Sequence, residues 1–189
     1  MHSWSDDGIV VVMKTDEYLS FAEDLRRREL IWGVVREPPS PFAPHQLVTT
    51  RVAALLDHHV RAHGLGTVLV APMDVVLDAE KDLVVQPDVM LISHARESII
   101  RDFVRGAPDL VVEVASPGTA RYDRTEKVAL YRAYDVRECW LVDPQKEAVT
   151  VLDLSAGASV QYRGKVVVRS SVLPLFSHSA NELLDRDAT

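Results

Sequence analysis

Residues 106–117 read GAPDLVVEVASP, a run of leucine and valine that is interrupted by one glutamate, Glu113. The β-branched composition predicts a buried strand over residues 110–115. Because alternate residues of a strand share a face, Glu113 lies on the same face as Asp109 and Val111. A carboxylate within such an apolar run is costly to bury unless a cation or a metal ion balances its charge. Glu113 is therefore the first candidate site residue.

The segments on either side predict a mixture of helices and strands around this central strand. Apolar residues recur at helical spacing in some segments and form short valine-rich runs in others. We expect helices over residues 15–28, 45–63 and 122–134, and strands over residues 67–70, 73–77, 83–92, 110–115 and 138–142. Further strands are expected as a pair within residues 30–37 that turns at Gly33, and as a terminal meander over residues 149–154, 160–162 and 166–168. Because a helix separates two of the strands, the predicted fold class is α/β or α+β in a single domain.

A second acid interrupts another apolar run, VVQPDVMLI, at residues 84–92. Gln86 and Asp88 share a face of this strand, and Pro87 between them marks a strand start or a bulge because proline cannot donate to a β-ladder. Two acids on neighbouring strands can converge on one divalent cation, and Mg²⁺ fits because it needs only one or two protein carboxylates. For either acid alone, a solvated face or an ion pair with an arginine is an equally open interpretation.

Lys127 lies on the apolar face of the helix that is predicted after Glu113. It precedes Tyr131 and Tyr134 at helical spacing, so it belongs to their inward-facing stripe. In that position its ammonium points toward the carboxyl end of the Glu113 strand, where it can hold a phosphate or lower the pKa of an attacking water. An alternative that fits the spacing equally well is that the side chain snorkels to water beside Asp123.

Composition and charge restrict the class of protein. The chain has 189 residues, with 21 basic against 28 acidic side chains and a net charge of −7, which argues against tight, sequence-independent binding to nucleic acid. Residues 121–137 nevertheless carry five basic and three acidic residues, so a local basic excess surrounds Lys127. The run Arg26 to Arg28 is interpreted as the cationic end of the first helix. No apolar run is long enough to span a membrane, and the single cysteine, Cys139, is typical of a reducing cytoplasm.

Three strings, in this order along the chain, resemble the Uma family of the PD-D/E-x-K nuclease superfamily: QPDV (residues 86–89), GAPDLVVEVASP (residues 106–117) and DRTEKVALYRAYDVRECWLVDP (residues 123–144). The segment from Leu30 to Gln46 resembles the N-terminal half of that family, and the likeness covers roughly residues 15–155. The resemblance implies a restriction endonuclease-like fold, in which a mixed β-sheet with an αβββαβ core is flanked by helices. It also implies one nuclease-like domain over residues 1–189, with a C-terminal β extension at about residues 156–189.

The resemblance assigns the central site residues position by position. Asp88 corresponds to the acid of the PD element and Glu113 to the acid of the D/E-x-K element, and both are implied to bind Mg²⁺ or Mn²⁺. The lysine of the second element is expected two residues after the glutamate, where this chain has Ala115. In the family a lysine on the following helix takes that part, and Lys127 in TEKVALY matches it.

Four further residues are given site roles by the same resemblance. Glu37 corresponds to an extra N-terminal acid of such sites, and His45 is a candidate site residue. Gln86 and Arg124 are assigned to substrate binding, Gln86 because its amide can hydrogen-bond a phosphate or a metal-bound water.

The expected function is that of a cytoplasmic, Mg²⁺-dependent endonuclease that hydrolyses DNA, with no membrane partner. A homodimer is expected because two active sites suit the cleavage of two strands. The alternative is a catalytically inactive module that retains the nuclease fold for binding or assembly, since fold does not imply function. A metal-independent glycosidase built on the two carboxylates is a third option, in which a buried Lys127 has no natural role.

Overall fold

Two β-sheets and flanking helices make up the computed structural model, which describes residues 12–20, 27–38, 40, 42–116 and 123–186. The helices are α1 (Thr15–Ser20), α2 (Ala43–His63), α3 (Val128–Ala133) and α4 (Ala180–Leu183), with a 3₁₀ turn at His94–Ile99 and a π-helical turn at Asp123–Lys127. The strands are β1 (Glu29–Ile31), β2 (Val34–Arg36), β3 (Gly66–Val70), β4 (Val75–Asp78), β5 (Leu83–Val85), β6 (Val89–Ser93), β7 (Val104–Arg105), β8 (Leu110–Val114), β9 (Glu138–Asp143), β10 (Ala148–Asp153) and β11 (Ala158–Tyr162).

The strand order is β11-β10-β9-β8-β6-β3 in the larger sheet and β2-β1-β5-β4-β7 in the smaller one. In the larger sheet β8 and β9 are parallel, because the chain between them crosses over through α3, and the other neighbours are antiparallel. The elements α2, β3, β6, β8, α3 and β9 follow the order αβββαβ, while β4, β5 and β7 lie in the smaller sheet. The predicted fold class, a mixed sheet flanked by helices, is confirmed, and the smaller sheet adds to it.

The two faces of β8 pack into separate hydrophobic clusters. Leu110, Val112 and Val114 pack with α2 and the C-terminal segment, whereas Val111 packs with α3 and the smaller sheet. Glu113 contacts α3, so it lies on the Val111 face as the strand alternation predicts. The larger sheet therefore separates an apolar layer under α2 from the layer that contains Glu113.

The strand predicted over residues 83–92 is divided into two. β5 belongs to the smaller sheet and β6 to the larger one, so the chain changes sheet over residues 86–88. Pro87 has no amide hydrogen and cannot continue a ladder, which accounts for the break. Asp88 is thereby placed at the junction between the two sheets.

The N-terminal part of the fold agrees with prediction in the hairpin and at the start of the first helix, but not at residues 27 and 28, which were predicted to be helical and instead lead directly into β1. The hairpin expected within residues 30–37 is formed by β1 and β2 and turns at Gly33, which has a φ of +80°. α1 accounts for the beginning of the helix predicted over residues 15–28, and residues 21–26 lie outside the described residues. In the part of the chain that the structure describes, no helix combines the length and the apolar character needed to cross a bilayer.

The last strand of the predicted terminal meander is not formed. Instead of a strand over residues 166–168, a single bridge joins Val167 to Ser179. A turn at Gly164, with a φ of +61°, follows β11, and Val168 then packs into the cluster that includes α2. These valines were expected in a sheet because of their composition, but only Val168 is buried, in the cluster that includes α2, while Val166 is 57% exposed.

Candidate active site

The two acids singled out by the sequence lie opposite each other on adjacent strands. β6 and β8 pair Met90 with Val111 and Val89 with Val112, so continuing the register by one residue places Asp88 opposite Glu113. The backbone N–H of Val114 donates to Asp88 Oδ2 at 2.7 Å. Both acids are buried, with 2% exposure for Asp88 and 1% for Glu113. Asp88, immediately before β6, and Glu113, in β8, are therefore neighbouring buried acids, and their convergence on one metal ion stays a prediction.

Asp88 is held ionised by the groups around it. Arg27 Nη1 lies 2.6 Å from Asp88 Oδ1, and His45 Nε2 lies 3.3 Å from Asp88 Oδ2. Burial alone raises the pKa of Asp88, but His45, Arg27 and the Val114 N–H outweigh that effect and hold the pKa at about 2. At neutral pH this buried carboxylate is thus negatively charged.

Lys127 points into the same layer and contacts two carboxylates. Its Nζ lies 2.6 Å from Glu113 Oε1 and 2.8 Å from Glu29 Oε1, and only 1% of the residue is exposed. The Tyr131 hydroxyl also donates to Glu113 Oε1. Burial and the negative charge of Glu113 raise the pKa of Tyr131, so the hydroxyl keeps its proton and acts as a donor. The inward orientation is observed, and the alternative in which Lys127 snorkels to water is not.

The local helix geometry accounts for the position of Lys127. It closes the π-helical turn Asp123–Lys127 and immediately precedes α3, whose Leu130 and Tyr131 pack into the core. A wider turn at this point alters the helical phase, and such insertions are frequent at functional sites. The lysine is thereby directed at the strand that carries Glu113.

Arg27 joins the two strand acids through one guanidinium group. In addition to Asp88, it approaches Glu113 Oε2 with Nη2 at 3.8 Å and donates from Nη2 to the Gln86 backbone carbonyl at 2.9 Å. The interpretation of the arginine run as a helix end did not place Arg27 here. Residues 27 and 28 are not helical and lead directly into β1, and no local pattern in the sequence relates Arg27 to Asp88, 61 positions away.

Glu29 is the N-terminal acid that contacts Lys127. It is buried at the start of β1 and also accepts from the Gln86 N–H at 3.1 Å. Glu37, immediately after β2, pairs instead with Arg28 Nε at 2.7 Å, and 48% of its side chain is exposed. The structure therefore brings a different acid of the same hairpin region to Lys127.

The remaining predicted residues fall into different positions. The Gln86 side chain is buried, with Nε2 donating to Asp74 Oδ1 at 2.9 Å and Oε1 accepting from the Arg28 N–H at 3.3 Å. His45 reaches the site from the first turn of α2 through its contact with Asp88. The side chain of Arg124 lies outside the described part of the structure.

The donor set fits a hard divalent cation. Within the described residues, no three His, Cys, Asp or Glu side chains are grouped as a ready-made metal site. Mg²⁺ and Mn²⁺ accept carboxylate oxygens, and Mg²⁺ needs only one or two from the protein because water and substrate complete its shell. Asp88 and Glu113 supply buried carboxylate oxygens on adjacent strands, which satisfies that requirement.

Comparisons with known proteins identify the family and the fold. The family model Uma2, described as "Putative restriction endonuclease", matches residues 15–181. A crystal structure of "a putative nuclease belonging to DUF820 from Anabaena variabilis ATCC 29413" superposes with a TM-score of 0.78 at 18% identity, covering 92% of this chain and 98% of that chain. No curated protein matches the chain. At this identity the structural likeness establishes the fold, and the family match extends beyond the predicted limit of the core at about residue 155.

Proposed function

The chain belongs to the Uma2 family of "Putative restriction endonuclease" proteins, and from that membership we propose that it is a Mg²⁺- or Mn²⁺-dependent endonuclease that hydrolyses DNA phosphodiester bonds. Asp88 and Glu113 would hold the metal ion, and Lys127 would act on the substrate phosphate. The proposal goes beyond the fold and the family in naming the metal, the substrate and these three roles.

The position of Lys127 is the observation that supports this proposal most directly. The strand position at which the superfamily motif has its lysine is occupied by Ala115. Lys127 comes from a different element, yet its ammonium lies 2.6 Å from Glu113 Oε1. The pair of acid and lysine that the motif supplies within one strand is thus assembled here from a strand and a helix.

Each residue of the site has a role that follows from its contacts. A bound divalent ion polarises a phosphate oxygen and lowers the pKa of a coordinated water. Lys127 offers a fixed positive charge where negative charge would develop on the phosphate, and its ion pairs with Glu29 and Glu113 keep that ammonium in place. His45 and the Val114 N–H orient the Asp88 carboxylate by binding its Oδ2 atom.

The substrate and the cellular setting follow from charge and composition. The net charge of −7 predicts weak binding of DNA by the metal-free protein, with a bound cation needed to bridge carboxylates and phosphate. Gln86 and Arg124 are proposed to contact the substrate. We also propose a cytoplasmic homodimer, because the single buried Cys139 suits a reducing compartment and two active sites suit duplex cleavage.

A cleavage assay with matched buried-acid variants tests the proposal. We expect purified protein with Mg²⁺ or Mn²⁺ to cleave plasmid or single-stranded DNA. The variants Asp88→Asn and Glu113→Gln should each cleave roughly 10³-fold more slowly, equivalent to a loss of about 4 kcal/mol of transition-state stabilisation. Asp109→Asn is the matched control, because Asp109 is a buried acid immediately before β8 whose partners lie outside the site: it accepts from the Ser93 N–H at 2.8 Å and pairs with the guanidinium groups of Arg137 and Arg96 at 3.4 and 3.9 Å. Thermal unfolding of each variant verifies that it is folded.

Two results would contradict the assignment. Unchanged cleavage in Asp88→Asn and Glu113→Gln would remove both residues from the chemistry. Absence of cleavage together with absence of Mg²⁺ or Mn²⁺ binding at millimolar concentration would favour the alternative of an inactive nuclease-fold module.

A further inference from the structure

Arg27 contacts one oxygen of each carboxylate, and in each case it is the oxygen that the other donors of the site do not contact. Asp88 Oδ2 accepts from the Val114 N–H and contacts His45, whereas Asp88 Oδ1 is 2.6 Å from Arg27 Nη1. A carboxylate oxygen has two lone pairs, so these contacts fill Oδ2 and direct any further ligand to Oδ1.

Glu113 has the same division between its two oxygens. Its Oε1 contacts Lys127 Nζ at 2.6 Å and accepts from Tyr131, and its Oε2 faces Arg27 Nη2 at 3.8 Å. The guanidinium therefore lies beside the two oxygens, one on each acid, that a shared metal ion requires. A cation already occupies the position in which another cation is expected.

The charges of the site make joint occupancy unfavourable. Leaving aside the imidazole of His45, which contacts Asp88 Oδ2, the carboxylates Asp88, Glu113 and Glu29 contribute three negative charges, against one positive charge each from Arg27 and Lys127. Adding a divalent ion to this set leaves an excess of one positive charge, whereas adding it with Arg27 withdrawn gives neutrality. Uncompensated buried charge is strongly destabilising, so neutrality favours exchange of one cation for the other.

Arg27 is also the cation that can leave. Its side chain is 22% exposed, whereas that of Lys127 is 1% exposed and is held between Glu29 and Glu113. An arginine side chain has several rotatable bonds, so a part-exposed one can rotate into solvent, where its guanidinium keeps its charge. That rotation breaks the contact with Asp88 and the hydrogen bond to the Gln86 carbonyl.

We propose that Arg27 is the exchangeable counter-ion of this site: its guanidinium neutralises Asp88 and Glu113 in the metal-free protein and withdraws when the two carboxylates hold a divalent cation. This inference rests on the proposed function, because it concerns the same metal site. It follows that the apparent dissociation constant for metal is the intrinsic one divided by the fraction of molecules in which Arg27 has withdrawn from the carboxylates.

Mn²⁺ binding to the metal-free protein tests this exchange without measuring cleavage. In isothermal titration calorimetry at neutral pH we expect Arg27→Gln to bind Mn²⁺ about tenfold more tightly than the wild type, because glutamine does not compete for the carboxylates. Arg28→Gln is the matched control and should stay within about twofold of the wild type, since the Arg28 guanidinium pairs with Glu37. Without metal, Arg27→Gln should have a lower Tm than the wild type, and saturating Mn²⁺ should raise its Tm by more.

The outcomes separate this inference from the proposed function. Equal or weaker Mn²⁺ binding by Arg27→Gln, with clear binding by the wild type, overturns the exchange and leaves the metal site standing. Absence of binding by wild type, Arg27→Gln and Arg28→Gln alike overturns both. If Arg27→Gln does not fold without metal, Arg27→Lys replaces it in the test, since lysine keeps the positive charge but lacks the bidentate guanidinium. Its Mn²⁺ affinity should be about threefold higher than that of the wild type, and no rise would overturn the exchange.

Discussion

Two regions of the larger sheet each bury a glutamate, and they balance its charge in different ways. Glu138, at the start of β9, is fully buried and accepts four hydrogen bonds, all from neutral donors: Trp140 Nε1 at 2.7 Å, Ser170 Oγ at 2.6 Å, Ser171 N at 2.7 Å and Ser171 Oγ at 2.8 Å. Glu113, on the adjacent strand β8, is contacted by the two cations Lys127 and Arg27.

This difference distinguishes Glu138, an acid with a structural role, from Glu113, an acid that is suited to binding a metal ion. The donors to Glu138 tie the C-terminal segment to the sheet, and neutral donors of this kind have no charge to exchange with a ligand. The partners of Glu113 carry full charges, so replacing one of them by another cation keeps the region neutral. A buried carboxylate with cationic partners is therefore the better candidate for a metal site, although such pairs also occur for purely structural reasons.

The largest effect is expected when the buried cation of the site is removed. Lys127→Met leaves Glu29 and Glu113 buried without their shared ammonium, and breaking a buried ion pair in this way costs about 4 kcal/mol of folding free energy. Urea unfolding at neutral pH measures the change. The double variant Lys127→Met/Glu29→Gln should recover part of the lost stability, because it removes one of the two carboxylate charges that no longer have Lys127 as a partner.

A loss of less than about 1 kcal/mol in Lys127→Met would contradict this distinction between Glu113 and Glu138. It would mean that the two acids do not depend on Lys127 for their neutralisation. Glu113 would then resemble Glu138, whose charge is stabilised by hydrogen bonds alone.

A somewhat smaller effect, of a different kind, is expected at Glu138. Glu138→Ala leaves the buried Trp140 and Ser171 donors without their acceptor, which costs about 3 kcal/mol in the free energy of unfolding. Limited proteolysis should detect earlier cleavage in the segment after residue 163, because Glu138 anchors it. Affinity for Mn²⁺ should stay within about twofold of the wild type. A large fall in metal affinity would show that the two regions are coupled and would remove the distinction between them.

The sequence was informative wherever a residue's orientation depends on its own element. Strand alternation placed Glu113 on the correct face of β8, and helical spacing directed Lys127 inward. Pro87 indicated a break, but it could not indicate that the chain changes sheet there, because the sheet to which a strand belongs depends on pairing with distant strands.

The partners that come from the N-terminal region were not predicted. Arg27 meets Asp88 across 61 positions of sequence, and Glu29 meets Gln86 across 57, so no local pattern relates them. Resemblance pointed to Glu37 as the extra acid, whereas the structure brings Glu29 to Lys127. Contacts of this range follow from how the two sheets pack, and a periodic pattern contains no information on that packing.

An intermediate effect is expected in the pH dependence of stability. The pKa of Asp88 is about 2 in the folded protein, below its ordinary value of 3.8. Because the folded pKa is the lower one, ionised Asp88 stabilises the fold above about pH 4, and this contribution, about 2 kcal/mol, is lost as the pH falls through 2. Between pH 5 and pH 3, the free energy of unfolding should fall about 1 kcal/mol more in the wild type than in Asp88→Asn. Parallel curves for the two proteins would mean that cationic partners do not hold this acid ionised.

The smallest effect is expected at Glu37, an acid that is paired with a cation but exposed. The Arg28–Glu37 pair at 2.7 Å is an ion pair like the contacts of Glu113, but solvent screens an exposed pair. Glu37→Gln should therefore change the free energy of unfolding by less than about 1 kcal/mol, and the Mn²⁺ affinity by less than about twofold. Glu29→Gln should change both the free energy of unfolding and the Mn²⁺ affinity by more than Glu37→Gln does, because Glu29, on the same hairpin, is buried against Lys127. The two variants make the same chemical change at different depths, so urea unfolding and calorimetry of the pair separate burial from charge. The reverse order would make Glu37 the N-terminal acid of the site and would show that burial does not decide which of these two ion pairs matters.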